Sequence, residues 1–493
     1  MTSRLERIRQ QRQEKLERLR AQGINPYPHH YHRSHTTAEA RELLARKEEG
    51  LTQAEEASVA GRITAIRRMG KNSFVDISDG SGKMQLLFQD AGGFDEKLRN
   101  LLKDLDIGDI IGAQGGVLRT KSGEPTIRVG DFTLLAKSLQ PLPEKWHGLS
   151  DTETRYRQRY LDLIANPETK NAFKVRSQVI SAIRQFLNGR GFLEVETPVL
   201  QPSAGGALAQ PFVTHHQALG RDLYLRIALE LHLKRLIVGG FDKVYELGRT
   251  FRNEGISTQH NPEFTMLESY QAYADYHDVM AMLEDMVCQV NQQVLGTTEA
   301  RFGEDNIDFK PPWKRLSLRD AVREYSDIDF VKYPTADGLR AKMRSMNIEV
   351  DPHKNWAKLV DELLKTFVRP GLIQPTFVLD YPVSMSPLAK SKPGEERVVE
   401  RFQAFAGGME IANAYTELND PIEQRERFTE QLKERQGEDE ERWTIDEDFL
   451  LALEYGMPPT GGLGVGIDRL LMLLTNQPSI REVILFPQLK EKG

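Results

Sequence analysis

The sequence predicts an α+β protein in which a small antiparallel β-barrel precedes a larger domain of antiparallel strands and helices. Three observations support this fold class. With 493 residues, the chain is too long for one compact core. Short β-rich runs separated by turn residues fill positions 57 to about 139, and helical patterns alternate with strands beyond a Pro-rich linker near residue 145. We therefore expect an N-terminal helix and extension over 1–56, a barrel over 57–144 and a larger domain over 145–493.

Composition narrows the class of protein. The formal net charge of −6 is mild for this length, so no general affinity for nucleic acid and no DNA partner is expected. The single cysteine, Cys288, excludes a disulfide framework. The N-terminus lacks the apolar core of a secretory signal, and no run approaches the roughly 20 apolar residues that cross a bilayer. We expect a cytoplasmic protein without a membrane partner.

The first elements are a basic helix and a histidine-containing loop. Between Arg4 and Arg20 there are seven Lys or Arg against three Glu. The apolar residues of this stretch are spaced as a narrow helical stripe: Leu5, Ile8, Leu16 and Leu19. A solvated helix and an RNA-contacting helix explain this pattern equally well.

Four histidines follow, at His29, His30, His32 and His35. Their Pro and Tyr neighbours favour a loop packed on the rest of the domain over a metal site.

Five β-rich runs predict the barrel: SVAGRITAIRR, NSFVDISD, GKMQLLFQ, DIIGAQGGVLRT and PTIRVGDFTLLA. Turn signals at 79–82 and 121–123 separate them, which is typical of a small barrel of about five strands. Phe74 lies just beyond a group of basic residues: Arg62, Arg67, Arg68 and Lys71. An aromatic ring beside cations suits stacking of single-stranded bases. Phe74 as a core residue is the alternative.

The larger domain begins with a helix from about Asn171 to Asn188, followed by the strand FLEVETPVL, which contains Pro198. Proline removes a ladder donor, so this strand is expected at a sheet edge or against another subunit. The run DLYLRIALELHLKRLIVGG predicts a strand and then a helix. Its Glu230 lies among apolar residues and should be solvated at a cleft or held by a cation. Residues 275–295 and 335–368 look helical, the second block as an insertion or a layer beside the sheet.

The stretch from Lys243 to Tyr273 predicts two strands joined by a polar loop at 255–262. Arg252 and Glu254 share one face of the first strand, because side chains two apart point the same way. The second strand likewise places four side chains on one face: Phe264, Met266, Glu268 and Tyr270. Paired strands would give one sheet face an arginine, two carboxylates, a flat ring and a phenol. Such a face can bind a phosphate, a stackable ring and an amine together.

Two later stretches add polar groups. The strand in MEIANAYTELND places three side chains on one face: Asn413, Tyr415 and Glu417. Glu410 joins that face only if the strand bulges before Asn413. GGLGVGIDRLLMLL then joins a glycine-dense strand to an apolar helix, with Asp468 and Arg469 at the junction. These glycines lack the dinucleotide-binding spacing, but they would let another group approach the backbone closely.

Three of these stretches resemble, in order, the signature motifs of class II aminoacyl-tRNA synthetases: GFLEVETPVLQP with Pro198, FRNE with Arg252 and Glu254, and GLGVGIDR with Arg469. The intervening stretches HNPEFTMLESYQAYADY, PLAK and ANAYTELND resemble in particular the bacterial-type lysyl-tRNA synthetases. The resemblance covers nearly the whole chain, and the barrel is similar to that family's anticodon-binding OB-fold. It implies a catalytic domain with an antiparallel sheet flanked by helices.

The resemblance implies that ATP activates L-lysine to lysyl-adenylate with release of pyrophosphate, and that lysine passes to the 3′ end of tRNA(Lys). It assigns catalysis to Arg252, Glu254 and Arg469. It assigns ATP, with adenine stacked on Phe264, to a larger set: Arg252, Glu254, His260, Asn261, Phe264, Glu410 and Arg469. The lysine carboxylate is already ionised at neutral pH, so positioning and charge neutralisation would carry the reaction without a general base.

The resemblance also implies a lysine pocket, with Glu230 at the α-amine and Glu268, Tyr270 and Glu417 near the ε-amine. The implied lysine-binding set is Glu230, Arg252, Glu268, Tyr270, Asn413, Tyr415 and Glu417. A leucine or methionine would leave Glu417 uncompensated, which favours lysine. Taken without the resemblance, an ion pair with a nearby Arg or Lys is the alternative for each of these glutamates.

Mg²⁺ bound with ATP is implied too, but one residue departs from the family. The position of the first magnesium carboxylate, seven residues before Glu410, is Gln403. Magnesium prefers charged oxygen ligands, so an amide weakens the site. Either the metal relies more on the ATP phosphates and Glu410, or the first site is water-mediated. Smaller departures are Ala228, where many relatives have proline, and Thr250, where asparagine is frequent.

On the barrel, the resemblance places Phe74, Gln85 and Glu124 at the anticodon of tRNA(Lys). It also implies a homodimer that pairs through the motif ending at Pro198. Two other functions stay open. A ligase for aspartate or asparagine is disfavoured, because its pocket should present cations where this chain offers Glu268 and Glu417. Gln403 lends some weight to a non-catalytic RNA-binding or regulatory protein. The four charged residues retained for ATP argue against that alternative: Arg252, Glu254, Glu410 and Arg469.

Overall fold

The structure is a computed structural model that describes residues 4–53, 55–89, 94–143, 149–203, 205, 209–434 and 445–490. The chain divides into two compact units, Met1–Ser150 and Asp151–Gly493. The predicted boundary at residues 144 and 145 falls within 144–148, outside the described residues, and stays a prediction. None of the helices in the described ranges has the length and apolar character that spanning a membrane requires.

The first unit is a closed barrel with three described helices. Its elements are α1 Arg4–Ala21, α2 Thr37–Glu48, β1 Glu56–Met69, β2 Asn72–Ser78, β3 Lys83–Gln89, α3 Glu96–Asp104, β4 Ile110–Arg119 and β5 Pro125–Ala136. The strand order β1-β2-β3-β5-β4, closed by pairing of β1 with β4, confirms the OB-fold. The sequence did not predict α2, which begins at a capping box between Thr36 and Glu39, nor α3.

The basic helix α1 uses part of its charge to attach to the barrel. Arg12 is buried and donates to the carbonyls of Ile107 and Gln140 at 2.9 and 2.7 Å. Lys15 lies 2.6 Å from Asp106. The helix is therefore docked rather than free, while Arg7 and Arg9 near its start stay exposed.

The histidine-containing loop lies against β1, as predicted. The Tyr31 hydroxyl is 2.9 Å from Ser58 Oγ, and Ser34 N donates to Ser58 O at 3.0 Å. Across the described ranges, no group of three or more His, Cys, Asp or Glu side chains is placed to hold a metal ion.

The second unit begins with elements that lead to the sheet: α4 Thr152–Arg157, α5 Arg159–Ala165, α6 Pro167–Gly189, β6 Leu193–Glu194, β7 Leu200–Gln201, β8 Val213–His216, β9 Arg221–Leu225, α7 Glu230–Val238, β10 Lys243–Phe251 and β11 Glu263–Ala272. A middle group follows: α8 Tyr276–Leu295, β12 Glu299–Phe302, β13 Asp305–Asp308, β14 Lys314–Ser317, α9 Leu318–Ser326, α10 Ala336–Ser345 and α11 Trp356–Leu363. The last group is β15 Thr376–Pro382, β16 Ser391–Lys392, β17 Glu395–Ala406, β18 Met409–Thr416, α12 Pro421–Glu434, α13 Glu447–Glu454, β19 Thr460–Gly466, α14 Ile467–Leu474 and α15 Ile480–Val483.

The main sheet runs in the order β14-β15-β17-β18-β19-β11-β10-β6, with β16 beside β17. Its neighbours are antiparallel except at the two ends, where β14 and β6 pair in parallel with β15 and β10. One face packs on α6, α8 and α14 through buried residues such as Ile183, Leu283, Leu267 and Leu471. This apolar face fixes the sheet and leaves the opposite face to carry polar groups.

The predicted helical block at 335–368 forms α10 and α11, and α11 continues as a π-helical turn, Leu364–Val368. Both helices pack on β15 and β17 through buried Val378 and Val399. This layer, which we call the helical insertion, therefore flanks the sheet. Arg369, the residue directly after the π-helical turn, reaches the open face of the sheet.

Two predicted strands were too long. The first strand of the hairpin ends at Phe251, so Arg252 and Glu254 lie in the loop and not on the strand. Arg252 N still donates to Pro262 O at 2.9 Å, but proline has no N–H to return the bond, and the ladder stops.

The predicted strand before Pro198 is reduced to Leu193–Glu194 at the sheet edge. Its edge position confirms the prediction, but its length does not. At Thr197 the backbone N–H and the hydroxyl bind the Glu246 carboxylate at 3.1 and 2.6 Å instead of a neighbouring strand.

Candidate active site

The open face of the sheet carries a pocket of about 720 Å³ lined by residues of β11, β17, β18 and β19. One end is rich in buried carboxylates and the other in arginines. Strand alternation brings Glu268 and Tyr270 to the open face, while Leu267, directly before Glu268, is buried in the core.

The carboxylate-rich end brings together three glutamates from distant parts of the chain. Glu230 opens α7, Glu268 lies on β11 and Glu417 follows β18, and all three are buried. The ammonium of Lys234, fully buried, lies 2.6 Å from Glu230 Oε1 and 2.5 Å from Glu417 Oε2. Glu230 is thus held by a cation, as one of the two predictions for it required. The expectation that Glu417 lacks a compensating charge is wrong for one of its oxygens.

The other oxygen of Glu417 has no partner. Its Oε1 is buried and accepts no hydrogen bond from the described residues. A buried carboxylate oxygen without a donor is costly, so this atom marks a position that a donor can fill. The three glutamates and Lys234 form a buried cluster whose formal charge is 1 − 3 = −2 when all are ionised. Two ammonium groups would neutralise it.

Burial perturbs the titration of these groups. It raises the pKa of Glu268 to about 7, and the nearby charge of Glu230 adds to the effect. Burial also raises the pKa of Glu417, against the attraction of Lys234. Burial alone would lower the pKa of Lys234, but Glu230 and Glu417 outweigh it and raise that pKa. A cation that binds beside these carboxylates would therefore favour their ionised form.

Gly462 on β19 leaves the space that the Glu417 carboxylate occupies. A Cβ at 462 would lie 1.9 Å from Glu417 Oε1 and 2.6 Å from Cε1 of Tyr270. Any side chain there would expel the carboxylate. The glycines of β19 were predicted to allow a close approach to the backbone, and at Gly462 the approaching group is a side chain of the protein itself.

Hydrogen bonds orient the remaining polar groups at this end. Tyr270 OH donates to Glu268 Oε2 at 3.1 Å, and Leu229 N donates to Oε1 at 3.0 Å. Asn413 Nδ2 donates to Tyr415 OH at 2.5 Å, and Arg401 Nε donates to Asn413 Oδ1 at 3.0 Å. These side chains are preorganised before any ligand arrives.

The arginine-rich end begins at Arg252 and Phe264. The guanidinium carbon of Arg252 lies 5.2 Å from the centroid of the Phe264 ring, and its Nε donates to Ile227 O at 3.3 Å. Phe264 is half-buried, and Glu254 lines the same end with an exposed side chain. An aromatic ring beside a guanidinium offers both a stacking surface and a phosphate contact.

Arg469 forms the other side of this end. Its Nη2 lies 3.1 Å from His260 Nε2, and its Nη1 donates to Glu410 O at 3.2 Å. Burial, followed by the charge of Arg469, lowers the pKa of His260, so a neutral imidazole faces the arginine near pH 7. The predicted bulge brings Glu410 to this face, because Phe405 pairs with Glu410 while the preceding Ala404 pairs with Ala412.

Asp468 and Asn261 line the pocket, and their hydrogen bonds also fix neighbouring parts of it. Asp468 accepts from Arg176 Nη1 at 2.5 Å and from Thr265 N at 2.7 Å, which fixes the neighbouring Arg469. Asn261 uses both ends of its amide, donating to Glu263 O at 2.6 Å and accepting from Gln488 N at 3.2 Å. These bonds make Asn261 an anchor of the loop.

Gln403 and Glu410 are the residues predicted for magnesium. Glu410 keeps about a third of its side chain exposed, and its carboxylate oxygen Oε2 lies 3.9 Å from Arg469 Nη1. The amide oxygen of Gln403 already accepts from Tyr381 OH at 2.6 Å. Magnesium commonly binds through one or two carboxylates together with substrate phosphates. These donors therefore fit an ion that arrives with ATP and uses Glu410, without a second protein carboxylate.

Of the three residues predicted for the anticodon, two lie on neighbouring strands of the barrel and the third directly precedes a strand. Phe74 on β2 is half-buried, whereas Val75 beside it is fully buried, so Phe74 is not a core residue. Gln85 pairs with β5 at Thr126 and accepts from Thr126 Oγ1 at 2.9 Å. Glu124 is exposed just before β5. A ring and two polar groups thus share one side of the barrel.

Sequence reasoning missed several residues of the pocket. Lys234 is four residues after Glu230 on one helix, a spacing that could have suggested the ion pair. No comparable local signal identifies Arg401 or Arg369, because each reaches the pocket from a different part of the chain.

A closed OB-fold barrel and an antiparallel sheet whose open face holds a carboxylate end and an arginine end form the architecture of a class II tRNA synthetase. A sequence profile for tRNA synthetases class II (D, K and N) matches residues 151–490, and one for an OB-fold nucleic acid binding domain matches 57–135. Proteins named lysine–tRNA ligase from Dehalococcoides mccartyi and Moorella thermoacetica are 62% and 54% identical, over 99% and 98% of this chain and 98% and 97% of their own lengths. One from Roseiflexus castenholzii is 52% identical over 99% of both. The chain therefore belongs to the bacterial-type class II lysyl-tRNA synthetase family.

Proposed function

We propose that the protein is a lysine–tRNA ligase that forms lysyl-adenylate from L-lysine and ATP and transfers the lysyl group to the 3′ end of tRNA(Lys). The observation that carries this proposal is the buried, unpartnered Oε1 of Glu417 in a cluster of three glutamates and Lys234 of formal charge 1 − 3 = −2. A substrate with two ammonium groups matches this charge. Glu230 would bind the α-ammonium, and Glu268, Tyr270 and Glu417 the ε-ammonium, with Asn413 and Tyr415 lining the pocket.

In the first step, an oxygen of the lysine carboxylate forms a bond to the α-phosphorus of ATP, and the bond from that phosphorus to the bridging oxygen of pyrophosphate breaks. Arg252 would hold the carboxylate against the α-phosphate, because a guanidinium can contact both groups and never loses its charge. Phe264 would stack the adenine. Arg469 and His260 would hold the phosphates, with Glu254 and the loop anchored by Asn261 positioning the nucleotide. The carboxylate needs no general base.

In the second step, a hydroxyl of the terminal tRNA adenosine attacks the lysyl carbonyl, and AMP leaves. We propose that residues 57–144 bind the anticodon through Phe74, Gln85 and Glu124, and that residues 145–493 carry the catalytic site. Mg²⁺ bound with ATP at Glu410 would neutralise phosphate charge. We also propose a cytoplasmic homodimer.

A second candidate is a ligase for aspartate or asparagine, because the matching profile covers the D, K and N enzymes. The side-chain carboxylate of aspartate would meet Glu268 and Glu417 at the buried end and would be repelled, and the neutral amide of asparagine would leave their charge without a counter-ion. The pocket charge therefore favours lysine over both alternatives.

Amino-acid-dependent exchange of labelled pyrophosphate into ATP tests the proposal. We expect exchange with lysine and none with aspartate, asparagine or norleucine. Norleucine has the length of lysine without its ε-ammonium and would leave Glu417 unpartnered. The Glu417→Gln variant should lose about 10²-fold or more in kcat/KM for lysine, the scale set by losing a buried charged partner. Exchange with aspartate, or with no amino acid, would overturn the assignment.

A further inference from the structure

The helical insertion contributes a cation to the arginine-rich end that neither the signature motifs nor the predicted site includes. Arg369 follows the π-helical turn Leu364–Val368 and lines the same pocket as Arg469 and His260. The guanidinium is half-buried. A π-helical turn at this position is notable because such turns occur frequently at functional sites.

The hydrogen bonds of Arg369 are made to neutral groups. Its Nε donates to Gly408 O at 2.8 Å, and its Nη2 donates to the amide oxygen of Gln259. No carboxylate of the described residues lies within 4.0 Å of it to form an ion pair, although Glu410 is near enough to attract it. The positive charge is therefore oriented but not neutralised.

Like charges lie near this guanidinium, and two carboxylates offset them in part. Burial and then Arg469 lower the pKa of Arg369, against the attraction of Glu410 and of Asp361, which pairs with Lys365 at 2.6 Å. Burial, followed by the charges of Arg469, Arg369 and Lys365, lowers the pKa of His260. Cations held close together in a pocket repel one another unless an anion lies between them. The arrangement is therefore stabilised by a multivalent anion.

We propose that Arg369 binds the β- and γ-phosphates of ATP, and pyrophosphate as the product. This inference rests on the proposed function for the identity of the nucleotide. Gln259 lies in the 252–262 loop and Gly408 in the turn between Gln403 and Glu410. Arg369 thus joins the helical insertion to both segments of the phosphate end. Since Gln403 contributes no negative charge for a metal, a fixed cation here neutralises phosphate directly.

Calorimetric titration of the full-length protein with inorganic pyrophosphate, ATP, AMP and lysine tests the role of Arg369. In Arg369→Gln, pyrophosphate and ATP should bind about 10- to 100-fold more weakly, the scale for losing a charge-assisted contact. AMP and lysine should bind as in the wild type, because neither carries a β-phosphate. Arg369→Lys keeps the charge and should recover part of the pyrophosphate affinity. Arg344→Gln, an exposed residue on α10 outside this pocket, is the matched control and should change none of the four.

Two results would overturn the inference. One is unchanged pyrophosphate and ATP affinity in Arg369→Gln. The other is a parallel loss for all four ligands that Arg369→Lys does not recover, which would assign the arginine a purely structural role. These binding results are independent of the exchange assay. If the wild type exchanges pyrophosphate with an amino acid other than lysine, the proposed function fails while the phosphate assignment of Arg369 is still decided by the titrations.

Discussion

Lys234 Nζ lies between Glu230 and Glu417 and sets the net charge of the three buried glutamates. Without it, three buried carboxylates would repel one another and take up protons. With it, one charge is neutralised internally and a formal −2 is left for the ligand. The same arrangement explains how a lysine pocket can contain a lysine side chain: Lys234 contacts Glu417 Oε2, whereas Oε1 stays available.

Lysine binding should be linked to proton release. Burial raises the pKa of Glu268 to about 7, and an arriving ammonium favours the ionised form, so the bound proton leaves. Lysine affinity should therefore fall by up to about tenfold per pH unit as the pH drops below 7. Because this folded-state pKa lies above that of the unfolded chain, the stability from protonated Glu268 is lost as the pH rises through about 7. Lysine should accordingly raise Tm more at pH 8 than at pH 6.

Calorimetry in buffers of different ionisation enthalpy measures the proton release directly. The control is AMP, which does not contact the carboxylate-rich end and should bind without this release. A lysine affinity that is constant between pH 6 and 8, with no proton exchanged, would contradict the pocket assignment.

Gln403 should raise the magnesium requirement. Its amide oxygen accepts from Tyr381 OH at 2.6 Å, and a glutamate could accept the same bond while adding a charge for the metal. Gln403→Glu should therefore lower the Mg²⁺ concentration that gives half-maximal adenylate formation and tighten Mn²⁺ binding in the presence of ATP, measured by electron paramagnetic resonance. Gln403→Ala, which supplies no oxygen ligand, should not. Equal metal dependence of wild type and Gln403→Glu would refute the idea.

At the scale of elements, the sequence was most informative where a pattern is local. Alternation of apolar and polar residues predicts the five barrel strands, and helical spacing predicts α8. The bulge before Asn413 follows from Glu410, which falls off the alternation of its strand. Two strands were predicted too long. At Thr197 the carboxylate of Glu246 takes the place of a neighbouring strand as hydrogen-bond partner. At Arg252 the ladder of hydrogen bonds ends, because its partner Pro262 has no N–H. Arg369 could not be predicted, because its role depends on where the helical insertion packs on β15 and β17.

On the barrel, strand β2 presents Phe74 away from the core, which separates a binding role from a stabilising one. Phe74→Ala should weaken tRNA(Lys) binding by roughly 1–3 kcal/mol through lost base stacking while leaving Tm nearly unchanged. Ile77→Ala on the same strand is the opposite control, since Ile77 is fully buried and should lose stability. Filter binding and thermal unfolding give the two quantities. A large drop in Tm for Phe74→Ala with unchanged tRNA affinity would favour a packing role.

At the scale of the whole molecule, one region of the second unit exposes apolar side chains that its own fold does not cover. Leu193 on β6 is 47% exposed, Leu200 on β7 45% and Val213 on β8 46%. Leu193 lies on the edge strand before Pro198, and Leu200 and Val213 lie on the small sheet β7-β9-β8 that follows it in the chain. Contiguous exposed apolar surface typically marks an interaction site, and the motif that ends at Pro198 was predicted to pair two copies.

A homodimer through this region should therefore depend on its apolar contacts. A stable interface buries about 1,200–2,000 Å² in total, and a charge placed within it without a partner is costly. We expect the wild type to sediment as a dimer and the Leu200→Asp, Val213→Asp double variant to shift towards monomer. Tyr455→Asp alters a residue that is 81% exposed after α13 and should leave the dimer intact. If the double variant sediments as the wild type does while retaining its fold by circular dichroism, the copies pair through another surface or not at all.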